Sequence, residues 1–118
     1  MLKILTEDDS NVITTTAITE FTPADWEILI PALVRKMRDF EKVHWCLELR
    51  DFKQHTEELL LEDNPLNQYD STPMERIAII AEREWRGWAE DLLAPFSSAE
   101  IHFFENNKEE EAHRWLSS

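Results

Sequence analysis

An unbroken apolar run, Ile77-Ala78-Ile79-Ile80-Ala81, constrains this chain more than any other stretch. Alternating polarity would leave one side of a strand wet, whereas continuous apolar residues over strand length mark a strand buried on both faces, the habit of parallel sheets covered by helices. Its neighbours in sequence agree. Val43 to Leu49 sets Val43, Trp45, Leu47 and Leu49 against His44, Cys46 and Glu48, which reads as a strand. Val12 to Phe21 is β-branched and Thr-rich, a strand with one face partly wet. Leu2 to Leu5 and Ile101 to Phe104 are short strand candidates, and Glu7 to Asn11 is a turn returning the first of them into the next.

Helical signals fall between these strands. Thr22-Pro23-Ala24-Asp25 supplies an N-cap, a proline at the first helical position and an acid near the positive end of the helix. Trp26, Leu29, Ile30, Leu33, Val34, Met37 and Phe40 then keep one apolar stripe, and Pro31 predicts a kink rather than a break because the stripe continues past it. Glu57 to Glu62 reads as helix, ended by Asn64-Pro65, and the polar stretch through Pro73 reads as an irregular loop or a short extra turn. Trp85, Trp88, Ala89, Leu92 and Leu93 recur at helical spacing up to Pro95, and Trp115-Leu116 closes the chain with a helix that packs back onto the sheet. The reading is a single α/β domain over residues 1–118: a mostly parallel four- or five-stranded sheet with an antiparallel edge strand, flanked by four or five helices. Strands are expected near 2–5, 12–21, 43–49, 77–81 and 101–104. The expected core is Ile18, Leu29, Leu33, Met37, Leu47, Ile77, Ile79, Trp88, Leu92 and Phe103.

Composition removes several classes of function. The 118 residues carry 25 acidic and 12 basic side chains, a net charge of -13, so the summed field repels nucleic acid phosphates. The excess acid serves solubility or meets a basic partner. Gly87 is the one glycine, and neither a P-loop nor a dinucleotide turn can be built from it. Cys46 is the one cysteine, which excludes a disulfide framework and points to a reducing compartment, hence the cytoplasm. The apolar start Met1 to Leu5 is too short for a signal peptide, and no run approaches the roughly 20 apolar residues of a membrane span.

Nothing in the residues assembles a catalytic or metal site. His44, His55, His102 and His113 lack ligand spacing, and Cys46 completes no cluster, so no metal or other cofactor is expected. His44, Cys46 and Glu48 share one face of a strand, where His44 and Glu48 would pair with each other or Glu48 would contact Arg50. With no nucleophile and orienting partner in view, the chain reads as a non-enzyme.

Phe21-Thr22-Pro23-Ala24-Asp25-Trp26, Leu29 to Leu33, Leu47 to Phe52, Arg76 to Ile80, Trp85-Arg86-Gly87-Trp88, Ala94-Pro95-Phe96, and Ala112 with Trp115-Leu116 follow in an order and spacing that resembles the SpoIIAA-like proteins, part of the wider STAS and Sec14-like group. The resemblance implies a regulatory domain of the anti-anti-sigma type that binds a protein partner, a second copy of itself included. Phospho-regulated relatives carry a Ser or Thr in an Asp-Ser-Ser-Gly-like motif just after the third strand. The matching stretch here runs from Arg50 to Glu57; Asp51 has a counterpart, the Ser-Ser-Gly is absent, and Thr56 is the one hydroxyl, a phospho-acceptor candidate that equally suits a helix N-cap. Asp51, Phe52, His55 and Trp85 are the candidates for a ligand or partner surface. The Sec14-like side of the resemblance implies an alternative, a small apolar ligand or lipid held between sheet and helices. Such a pocket belongs beyond the carboxyl ends of the strands, at Arg50 to Thr56, Glu82 to Trp88 and Glu105 to Asn107, with Trp85 at its mouth and Trp88 deeper in the core.

Overall fold

A computed structural model describes residues 2–5, 10–53, 72–94, 96 and 98–117. The strands are β1 (Leu2–Ile4), β2 (Val12–Ile18), β3 (Val43–Arg50), β4 (Met74–Ala81) and β5 (Glu100–Glu105), and the helices are α1 (Pro23–Asp39), α2 (Arg86–Leu92) and α3 (Glu109–Ser117). The strands form one sheet in the order β1-β2-β3-β4-β5, with β1 antiparallel at the edge and the other neighbours parallel. This is the expected α/β sheet with its antiparallel edge strand. The expected helix near 57–62, the loop that follows it, most of the turn at 7–11 and Pro95 lie outside the described residues; among the described residues there are three helices and two short 3-10 turns.

Strand order decides which face each helix covers. Parallel crossovers are right-handed, so a sheet whose order never reverses receives its crossover helices on a single face. Accordingly α1 and α2 bury Trp26, Leu29, Leu33, Ala89 and Leu92 in one large cluster with Ile13, Trp45, Leu47, Ile77 and Ile79. Among the described helices only α3, which follows the last strand, reaches the opposite face, where Ala112 and Leu116 close over Cys46, Ala78 and Ile80. The double burial inferred for Ile77 to Ala81 is thus real, each side chain in turn facing one cover or the other.

α1 starts as its sequence predicts. The Thr22 hydroxyl accepts the Asp25 N–H at 3.3 Å while an Asp25 carboxylate oxygen accepts the Thr22 N–H at 2.8 Å, a reciprocal capping box. The helix runs through Pro31 to Asp39. β2 stops at Ile18 rather than Phe21, because Thr19 takes a left-handed φ of 70° that no strand can continue through. β4 begins three residues earlier than the apolar run: a register shift between Val43 and His44 inserts an extra residue, Glu75, and the polar pair Glu75-Arg76 is kept in the strand by partners on neighbouring elements. Within the expected core, Leu29, Leu33, Leu47, Ile77, Ile79 and Leu92 are buried, whereas Ile18, Met37, Trp88 and Phe103 are half-buried, the last three packed against the rim of the large cluster.

Candidate functional site

The carboxyl ends of β2, β3, β4 and β5 meet at one edge of the sheet, and the chain leaves that edge in unusual conformations. Thr19 after β2 and Asp51 after β3 both have positive φ, 70° and 49°, without being glycine. Each such residue costs on the order of 1 kcal/mol and persists only where its surroundings enforce it. The two are tied together: the Thr19 N–H donates to the Arg50 carbonyl at 3.1 Å and the Lys53 N–H to the Thr19 carbonyl at 2.6 Å. This joint leaves Asp51 exposed and turns Phe52 inward.

Phe52 is the centre of an aromatic cluster. Its ring meets Trp85 edge-on at 5.0 Å and Trp88 tilted at 4.9 Å, with the two indoles 6.4 Å apart. Trp85 comes from the 3-10 turn after β4 and Trp88 from the first turn of α2, so a loop after β3 and a helix after β4 are pinned to each other. The indole N–H groups of Trp85 and Trp88 are buried with no acceptor among the described residues. In the core, the Trp45 N–H donates to the Thr15 hydroxyl at 3.0 Å, while the Trp26 N–H, like those of Trp85 and Trp88, has no acceptor among the described residues. An unpaired buried donor costs about 1–3 kcal/mol, which ring packing here has to offset.

Around the aromatics the edge is acidic. Glu82, Arg83 and Glu84 follow β4, and Glu105, Asn106 and Asn107 follow β5. A hydrogen bond with Glu84 raises the Glu82 carboxyl above the usual carboxylate range, with a further push from the negative charge of Asp51, so these three acids share one field. Arg83 is committed to Glu105, whose carboxyl it lowers. An open cavity of about 310 Å³ lies here, lined by Glu82, Arg83, Glu105, Asn106 and Asn107. Its place matches the edge expected for a ligand, but it is open to solvent and every residue lining it is polar or charged, where a lipid tail requires an enclosed pocket of apolar side chains. Moreover, a sheet whose order never reverses lacks the crevice that doubly wound sheets open at their switch point.

The structure brings Asp51, Phe52 and Trp85 together at this edge; His55 and Thr56 lie outside the described residues. Trp88 is no deeper than Trp85, both being half-buried members of one cluster. Sequence reading missed Thr19, for a β-branched residue carries no signal for a left-handed turn.

The other titratable set, on the opposite face, is arranged differently from its expectation. Glu48 accepts from Thr16 and from Arg50, each at 3.0 Å, the Arg50 contact being one of the two foreseen. His44 does not pair with Glu48; its partners are the Glu75 carboxylate and the Leu116 carbonyl. The Cys46 thiol between them is pushed up to about 12, chiefly by burial and then by Glu48 and Glu109, and so stays protonated and inert. Among the described residues no three His, Cys, Asp or Glu side chains converge as metal ligands, and no helix is long and apolar enough to cross a membrane.

A single-wound α/β domain with a strained, acid-rimmed aromatic edge is the class that fold and site define. The SpoIIAA-like family model matches residues 12–117, and the chain belongs to that family. Comparison with curated proteins returns no match.

Proposed function

We propose that residues 1–118 form a non-enzymatic regulatory domain of the STAS type, working in the cytoplasm, whose carboxyl edge binds a protein partner. The observation that carries this reading is the Phe52, Trp85 and Trp88 cluster with Asp51, Glu82 and Glu84 around it: a packed aromatic centre with a charged rim is the anatomy of a binding hot spot. The rim selects a basic partner surface, consistent with a net charge of -13. Thr56, in the stretch after Asp51, is the proposed phospho-acceptor; a phosphate there adds up to two negative charges and strengthens the same selection. Pull-down from native lysate at low and high salt, with the wild-type domain and with Asp51→Arg, tests it. Wild type should retain a protein that high salt and the substitution both release. If nothing is retained and sizing shows a clean monomer, which also excludes self-association, the reading fails.

The indole donors of Trp85 and Trp88, which find no acceptor among the described residues, favour a second reading, a small apolar ligand with a polar group that accepts from them. Native mass spectrometry of protein purified without detergent decides it, since a bound molecule would appear as added mass and an empty protein would end the reading.

A further inference from the structure

His44 is a buried histidine whose two ring nitrogens both face acceptors. Nδ1 lies 2.6 Å from the Leu116 carbonyl and Nε2 lies 3.0 Å from Glu75 Oε1. A neutral imidazole has one N–H and one lone pair, so in that form one of these oxygens would face a lone pair across a hydrogen-bond distance. A carbonyl cannot supply a proton. Glu75 does not supply one either, because its hydrogen bond with His44, and the Lys42 ammonium 3.5 Å from its other oxygen, hold its carboxyl below the usual range and keep it ionised. Two N–H groups therefore fit this geometry, which is the imidazolium form.

The remaining surroundings can be read charge by charge. From α3, the Leu116 carbonyl belongs to the last turn, where carbonyls lack intrahelical donors and the helix dipole favours a cation. From β4, Arg76 stands in register with His44 and opposes a second positive charge, but its guanidinium is drawn away to the Trp115 carbonyl at 2.8 Å and over the Trp115 ring. From β3, Cys46 is a neutral thiol, and Glu48 is engaged with Thr16 and Arg50. From β5, Glu100 in the same cross-strand row is bonded to His102. Glu75 and the helix terminus are thus the groups that act on the ring directly.

We propose that His44 is positively charged in the folded domain and that its deprotonation loosens α3 from the sheet, making the C-terminal helix a pH-sensitive latch over Cys46, Ala78 and Ile80. On losing a proton the ring keeps only one N–H, which stays with the ionised Glu75 carboxylate as the stronger acceptor, so the Leu116 carbonyl loses its donor and α3 its tie to β3. This device is separate from the carboxyl edge and stands whether or not that edge binds a partner.

Imidazole ¹⁵N chemical shifts and amide hydrogen exchange, followed on the wild-type domain from about pH 5 to about pH 9, test the latch. Both His44 nitrogens should show protonated shifts at the acid end. As the ring deprotonates, protection at Ala112 to Leu116, corrected for intrinsic exchange, should fall about tenfold, the size of one net hydrogen bond, while Trp45 to Leu49 stay protected. In His44→Gln the α3 protection should lose this step and stay at the lower level throughout. A folded domain whose His44 shows a single N–H already at the acid end, or α3 protection that does not follow the ring's titration, would overturn the proposal.

Discussion

The two faces of the sheet are closed by different physics. Under α1 and α2 the contact is made by large side chains, Trp45, Leu47, Ile77 and Ile79 against Trp26, Leu29, Leu33 and Leu92, all buried. Under α3 the fully buried contact is made by small or medium ones, Cys46, Ala78, Ile80, Ala112 and Leu116, flanked by the half-buried rings of Phe104 and Trp115, and is finished by polar ties from His44 and Arg76 to the last carbonyls of a nine-residue helix. Apolar burial scales with area and is indifferent to pH, whereas hydrogen bonds from charged groups are strong only while the charges persist. If α3 is latched as proposed, one face holds the fold together and the other holds a helix that detaches first.

Substitutions should separate the faces by size of effect. Leu47→Ala opens a cavity in the large cluster and should cost about 2–5 kcal/mol in denaturant unfolding, spread over the whole domain. Leu116→Ala truncates the larger of the two fully buried side chains of α3 and should cost less, below about 2 kcal/mol, if the helix detaches without the sheet following. An equal cost for the two would erase the proposed difference. Smaller still is the acid response of Glu75. Its folded carboxyl is lowered by His44 first and by Lys42, so its contribution is fully present above the ordinary carboxylate range and is lost as pH falls through the lowered value. Acid titration of Glu75→Gln against wild type, followed by α3 exchange, should show the wild-type advantage disappear in that window; an advantage that survives below it would assign the effect to another group.

Much of the fold was legible in the sequence because it rests on local rules. Period-two and unbroken apolar runs gave the strands, and Thr22, Pro23 and Asp25 gave the start of α1. What was not legible depends on contacts distant in sequence. The strand expected over 77–81 begins at Met74, because the bulge and α3 supply partners for Glu75 and Arg76. His44 was set against Glu48, its neighbour on the same strand face, while its real partners come from β4 and from Leu116, 72 residues away. The candidate edge was legible as a place, since Asp51, Phe52 and Trp85 do converge there, but not in character. Its polar lining follows from Glu82, Arg83 and Glu105, and the lack of a switch point follows from a strand order that no local pattern encodes.

Native-state hydrogen exchange across a series of low denaturant concentrations tests the division most directly. Amides of Ala112 to Leu116 should exchange through an opening of lower free energy and weak denaturant dependence, while those of Trp45 to Leu49 and Ile77 to Ala81 should exchange only through global unfolding. Amides of α3 that share the free energy and denaturant slope of the central strands would show one cooperative unit and contradict it.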